Sequence, residues 1–108
     1  MTTRPIALMR FSIPVLVSLL DEPEVNYIVP WSLGEIGDKR AVAPLIHALA
    51  DSDPSMRVLA IYGLEQLHAT EALPALRRLL EDHQRTTFGN QVPVADAARA
   101  AITKLETN

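Results

Sequence analysis

Three prolines recur at a spacing of thirty residues and set the period on which the chain is built: Pro14, Pro44 and Pro74. Each opens a similar run, with apolar residues one, two, five and six places after the proline. That spacing puts the apolar side chains on one face of an α-helix. Proline is tolerated there because the backbone N–H groups of a first helical turn have no partner within the helix. The repeat therefore predicts three equivalent helices.

A second class of helix lies between the proline-led runs and begins with an acidic residue followed by proline, as in Glu22-Pro23 and Asp53-Pro54. An acidic side chain can cap the first turn while proline occupies the first helical position. An opening helix, bent or broken near Pro14, is expected to precede this alternating series. The predicted helices cover about 4–21, then 23–36, 41–51, 54–68, 71–82 and 93–106.

The ends of these helices also carry signals. Gly37 can take the left-handed conformation that ends a helix, and Asp38 can cap the next one. In the following copy the corresponding stretch is one residue shorter, and Thr70 is the expected cap. The longest connection, 83–92, is polar and contains glycine, so we expect a mobile or inserted segment there.

Residues 32–46, which read SLGEIGDKRAVAPLI, and 49–57, LADSDPSMR, resemble the repeat unit of the phycobilisome (PBS) lyase HEAT-like family. The likeness extends over nearly the whole chain. Pro30 departs from it, standing where the family usually has alanine, and is expected to kink its helix. The resemblance implies an all-α fold, a short right-handed α-solenoid of two to three HEAT-like helical hairpins. The single domain 1–108 would comprise an opening helix or cap at 1–21, repeats at about 22–51 and 52–82, and a final helix at 93–106.

One candidate surface lies on the proline-led helices. Three places after each proline stand Val17, His47 and Arg77, and Arg78 lies beside the last of them. In HEAT-like folds these second helices line the concave side, so the resemblance places His47, Arg77 and Arg78 in a groove that binds a partner. The alternative is an ordinary solvated helix face.

A second candidate surface carries the aromatic residues. When two copies of the other helix are aligned on their matching leucines, Trp31 and Tyr62 take the same place, with Tyr27 and Val58 four residues earlier. We predict an outward strip formed by Tyr27, Trp31 and Tyr62, because exposed aromatic residues are typical anchors for a partner protein. In the alternative, Pro30 rotates its helix and turns Trp31 into the core.

The composition argues against several functional classes. Ten basic residues are scattered among thirteen acidic ones, and the net charge of −3 argues against nucleic acid binding. There are no cysteines, and the three histidines fit no metal-binding pattern, so neither a cofactor nor a catalytic residue is predicted. The apolar stretch 11–20 is too short to span a membrane, and we expect a cytoplasmic protein.

The sequence therefore predicts a protein-interaction or scaffold module whose partner is another protein, with no reaction assigned. The resemblance adds an alternative, a chaperone-like accessory subunit related to bilin lyases that handles a tetrapyrrole. The opening segment contains Ile6, Leu8, Met9, Phe11 and Ile13, which is apolar for a helix at the end of a stack. We expect it either to cover that end or to pair with a second copy as a homodimer.

Overall fold

The computed structural model describes Val17, residues 28–87 and residues 90–107, with all their side chains except those of Ile28 and Trp31. The α-helices are α1 (Ile28–Ile36), α2 (Val42–Ala48), α3 (Pro54–Gln66), α4 (Leu73–Arg78) and α5 (Val94–Glu106). Turns of 3-10 helix lie at Lys39–Ala41, Thr70–Ala72 and Leu79–Glu81. These described residues form no β-strand and only one isolated antiparallel bridge, between Arg85 and Pro93. The predicted all-α fold is confirmed.

Three of the predicted helix signals are present as side-chain and backbone geometry. The Asp53 carboxylate accepts a hydrogen bond from the Ser55 N–H at 2.9 Å and caps α3. Asp38 accepts one from the Arg40 N–H at 2.9 Å before the turn that leads into α2. Gly37 has φ of 77°, the left-handed conformation expected at the end of α1. These predictions are confirmed.

The cap predicted at Thr70 is wrong. Thr70 is the first residue of the 3-10 turn, and Ala69, which cannot cap through its side chain, precedes it. The left-handed residue that ends α3 is His68, with φ of 52°. The stretch from Leu67 to Pro74 is one residue shorter than the matching stretch from Ile36 to Pro44, and this changes the place of the proline in its helix. Proline is the third residue of α2 but the second residue, Pro74, of α4.

The helices stack in two layers. α1 packs against α3 and α3 against α5, while α2 packs on α3 and α4 on α5. Because α3 has a helix on each side and another beneath it, most of its side chains are buried. Val58 is completely buried, so its predicted place on an outward strip is wrong. Neighbouring helices cover the sides of a helix that lies inside a stack. The apolar pattern of that helix alone does not predict this burial.

The core is aliphatic, as the scarcity of aromatic residues requires. Helices α1, α3 and α5 each contribute buried side chains to this core, and Ile36 and Ile102 are half-buried against the same cluster. The buried members are Val29, Leu33, Met56, Ala60, Leu64, Leu67, Ala97, Ala98, Ala101 and Leu105. The small alanines of α5 allow close approach to α3, which is how so short a chain fills its interior.

A pair of glycines brings α1 and α3 into backbone contact. A Cβ atom added to Gly63 would lie 2.7 Å from the Pro30 carbonyl oxygen and 3.1 Å from Leu45 Cδ1. One added to Gly34 would lie 2.9 Å from the Cα atom of Gly63. Distances below 3.0 Å are not found for real Cβ atoms, so these positions require the absence of a side chain.

One charged side chain, Arg57, is almost fully buried, at 7% exposed. Its Nε donates to Asp82 Oδ2 at 2.8 Å, its Nη1 to the Asp51 carbonyl oxygen at 2.7 Å, and its Nη2 to Asp82 Oδ1 at 3.3 Å and to Gln84 Oε1. The guanidinium thus ties the end of the α2–α3 connection to the chain that follows α4. A planar fork of donors suits this arrangement, which a single ammonium group cannot reproduce.

The connection between α4 and α5 is held at both of its ends. The Thr87 N–H donates to Ser55 Oγ at 2.8 Å, and the N–H groups of Val94 and Ala95 donate to the carbonyl oxygens of Gln84 and Asp82 at 2.8 and 2.7 Å. These last two bonds satisfy donors of the first turn of α5. The described part of the connection is therefore held by hydrogen bonds, and the expected mobile or inserted segment stays a prediction; residues 88 and 89 lie outside the described residues.

We expect Gly63→Ala to destabilise the fold by about 1–3 kcal/mol, because the added methyl group meets the backbone of α1. Intrinsic helix propensity favours alanine over glycine by about 1 kcal/mol, so the sign of the change tests the contact. Urea unfolding followed by circular dichroism measures it. Ala100→Gly, at an exposed position of α5, is the matched control and should lose about 1 kcal/mol. A Gly63→Ala variant more stable than the wild type would contradict the close approach.

We expect Arg57→Met to lower the free energy of unfolding by about 3–5 kcal/mol, since it leaves the Asp82 carboxylate without its buried partner. The control is Arg99→Met, which removes an exposed ion pair with Asp96 (3.1 Å, both side chains 62% exposed) and should cost at most about 1 kcal/mol. Thermal unfolding of the two variants provides the comparison. Equal losses would show that the Arg57 cluster does not hold the repeats together.

Candidate protein-interaction surfaces

A cleft of about 410 Å³ lies beside α2, one of the proline-led helices. We call it the α2 cleft; its lining residues are Val17, Pro44, His47, Ala48, Ala50, Asp51 and Met56. His47 and Ala48 lie three and four residues after Pro44 along α2, so one face of that helix forms a wall. The predicted site residue His47 is exposed at this wall.

The α2 cleft combines apolar walls with one carboxylate. Met56 is 1% exposed and forms part of the lining, while Asp51 is half-buried at the edge. Asp51 Oδ1 accepts a hydrogen bond from the Asp53 N–H at 2.8 Å, which fixes its orientation. Among the described residues, no cationic side chain forms an ion pair with this carboxylate. The cleft can therefore bind an apolar group and offer an acceptor beside it.

The two predicted arginines do not line this cleft. Arg77 and Arg78 are exposed on α4, and the Arg77 guanidinium donates to Glu106 Oε2 at 2.5 Å, in the last turn of α5. The side chains of this ion pair are 51% and 47% exposed, which makes it a surface contact between α4 and α5. The structure thus assigns His47 to a cleft and Arg77 to the neighbouring helix end, rather than uniting His47, Arg77 and Arg78 in one described pocket.

Of the three predicted aromatic anchors, the structure describes the side chain of Tyr62 alone. Tyr62 is half-buried, packs on the core and lines a cleft of about 370 Å³. We call this second cavity the Tyr62 cleft; its other lining residues are Glu65, Gln66, His68 and Lys104. Tyr27 lies outside the described residues, and Trp31 belongs to α1 with its side chain outside the description. The strip Tyr27, Trp31 and Tyr62 stays a prediction.

The Tyr62 cleft holds opposite charges. Burial raises the pKa of the Glu65 carboxyl above its ordinary value, and the Lys104 ammonium opposes that rise. Burial also raises the pKa of the Tyr62 hydroxyl, with the charge of Glu65 adding to the effect. Because Lys104 already offsets Glu65, the cleft favours neither an anionic nor a cationic ligand through its net charge.

Sequence reasoning missed Asp51 and Met56 as surface-forming residues, although one signal was present. Each of the three proline-led runs ends in an acidic residue seven places after its proline: Asp21, Asp51 and Glu81. A recurrent acidic position at the end of a helix that lines a groove could have marked Asp51. Met56 belongs to the buried stripe of α3. It also forms the floor of the α2 cleft, because of the way in which α2 crosses α3.

Residues 28–87 and 90–107 contain no cluster suited to a metal ion and no helix suited to span a membrane. In those ranges histidine, aspartate and glutamate side chains nowhere gather in threes in a way that could hold a metal ion. None of the helices there is both long and apolar enough to cross a membrane.

Comparison with known families gives one match, to HEAT repeats over residues 12–87. The chain matches none of the curated proteins. The match is to HEAT repeats in general and does not single out the phycobilisome-lyase type. It includes the helices α1 to α4 and all the residues that line the α2 cleft, and it covers well over half of the sequence. The chain belongs to the HEAT-repeat family.

Proposed function

We propose that this HEAT-repeat chain is a protein-interaction module that docks a partner protein at the α2 cleft without any bond chemistry. HEAT repeats generally mediate contacts between proteins, which supports the class of function. The observation that carries the choice of surface is the α2 cleft itself, with the predicted residue His47 at an apolar wall. Ligand-binding clefts combine mostly apolar walls with a few polar groups that fix orientation, as this one does.

The stiffness of the cleft favours binding. Asp51 is fixed through its side chain by the Asp53 N–H and through its backbone carbonyl by Arg57. Pro44 restricts the backbone of α2 at the wall, since its ring fixes one dihedral angle. A surface that is already ordered loses less entropy when a partner binds, so more of the contact energy appears as affinity.

The aromatic strip is the alternative docking surface for the same function. Its support is the half-buried ring of Tyr62 at the Tyr62 cleft, because tyrosine buries a large area with few rotatable bonds. A homodimer, a cytoplasmic scaffold role and membership of the phycobilisome-lyase type stay predictions. The accessory role with bilin lyases rests on the resemblance alone, and absorbance titration with a bilin tests it.

We expect a photo-crosslinking amino acid in place of His47 to capture a discrete partner in cells, because that position faces the cleft. The matched control places the same amino acid at Glu71, an exposed site in the turn before α4. Excess unlabelled wild-type chain should compete away the cross-link, whereas Ala50→Trp, which fills the cleft from an exposed position, should not. Equal capture at both sites, or competition by Ala50→Trp, would rule out the α2 cleft; a cross-link in the purified protein would reveal a second copy as the partner.

The Tyr62→Ala variant distinguishes between the α2 cleft and the aromatic strip as the docking surface. Loss of a half-buried ring should lower the free energy of unfolding by about 1–2 kcal/mol, and Tyr62→Phe, which keeps the ring, should be near neutral. Cross-linking from position 47 is then measured well below the unfolding midpoint of the variant. Undiminished capture is expected if the partner docks at the α2 cleft, and loss of capture by a folded Tyr62→Ala chain would move the site to the aromatic strip.

A further inference from the structure

The described lining of the α2 cleft carries a negative charge, on Asp51. Among the described lining residues Asp51 is the only acidic one, and none of them is a lysine or an arginine. The Asp53 N–H occupies Oδ1 and leaves the second carboxylate oxygen, Oδ2, for another donor. Arg57 reaches Asp51 only at the backbone carbonyl, and its guanidinium charge is balanced by the Asp82 carboxylate. An oriented carboxylate that forms no ion pair with a described side chain favours a cationic ligand.

Several other described carboxylates already have a cation close by. Glu65 has Lys104 in the Tyr62 cleft, so that cavity offers no net sign to a ligand. The ion pairs among the described side chains are Asp38 with Arg40, Asp82 with Arg57, Glu106 with Arg77 and Asp96 with Arg99. Asp51 lines a cleft and forms no ion pair with a described side chain, so the α2 cleft, unlike the Tyr62 cleft, offers a ligand a charge of one sign.

The apolar part of the cleft lies close to this charge. Pro44 and Ala48 of α2 and the buried Met56 of α3 form its wall and floor. A methionine thioether adapts its shape to different apolar groups, so the floor does not demand one particular side chain. Asp51 follows Ala48 by three residues, and its N–H donates to the Ala48 carbonyl oxygen at 3.1 Å, which keeps Asp51 near this wall.

We infer that the α2 cleft binds a partner segment that presents an apolar side chain next to a lysine or arginine. The inference rests on the proposed function and names the chemistry of the partner. The apolar side chain contacts Met56 and Ala48, and the cation hydrogen-bonds the free oxygen of Asp51. The net charge of −3 also raises the rate at which a basic segment approaches. An acidic segment would place its carboxylate against Asp51 and be repelled.

Three six-carbon probes separate these contributions: hexylammonium, hexanol and hexanoate share the apolar chain and differ in charge. Each is titrated into the full chain while the methyl signals of Met56 and Ala48 are followed by NMR. We expect hexylammonium to bind about three- to fivefold more tightly than hexanol, the range for a partly exposed ion pair, and hexanoate to bind more weakly than hexanol. The advantage of hexylammonium should shrink as salt is raised.

Asp51→Asn is the decisive variant, because it keeps the oxygen that accepts from Asp53 and removes the charge. It should bring the affinity for hexylammonium down to that for hexanol, while Asp96→Asn, at an exposed aspartate of α5, should leave the preference intact. Helical circular dichroism and the unfolding midpoint confirm that both variants are folded.

The inference is overturned if hexanoate binds as tightly as hexylammonium, if Asp51→Asn keeps the preference, or if none of the three probes shifts the Met56 and Ala48 signals. Failure of the proposed function is a separate result, namely the absence of site-specific cross-linking from position 47. Cross-linking at 47 together with equal binding of the three probes would therefore retain the docking surface and reject its preference for a basic segment.

Discussion

The contact between α1 and α3 at Gly63 is the constraint on which the arrangement of the repeats depends. With no side chain there, the backbone of α3 reaches the Pro30 carbonyl of α1 and the side chain of Leu45 in α2 at once. These three helices meet at one point, so the position of α2 relative to α3 is set there. The α2 cleft, whose wall belongs to α2 and whose floor is Met56 of α3, takes its shape from that crossing.

The period and the helix starts could be predicted from sequence because they are local properties. Asp38, Asp53 and Gly37 act on backbone groups within two or three residues, and each behaves as the sequence predicts. Val58 and Arg57 were not predictable in this way. Their burial depends on α5 and on the chain after α4, which lie far along the sequence and close in space.

The residues of the candidate site likewise fall into those that local sequence predicts and those that it does not. Exposure of His47 follows from helical periodicity, and His47 lines the α2 cleft, while its place on a concave side stays a prediction. The cleft also needs Asp51 and Met56, and their contribution arises from the crossing of two helices. Arg77 shows the converse, because a residue at the matching position of the next copy is drawn into an ion pair with Glu106. Equivalent positions in two repeats lie at the same place on their helices, but the side chains that surround them differ.

Arg57 stabilises the stack of helices without neutralising the Asp51 carboxylate at the α2 cleft. Its ionic contacts go to Asp82, and its contact with Asp51 uses the backbone carbonyl. If the guanidinium paired with the Asp51 carboxylate instead, the cleft would be electrically neutral and the Asp82 charge would be left half-buried and alone. The observed arrangement holds the connection rigid and leaves one oriented carboxylate facing the apolar wall. Asp51 therefore holds the connection through its backbone carbonyl oxygen and provides the charge at the cleft through its carboxylate.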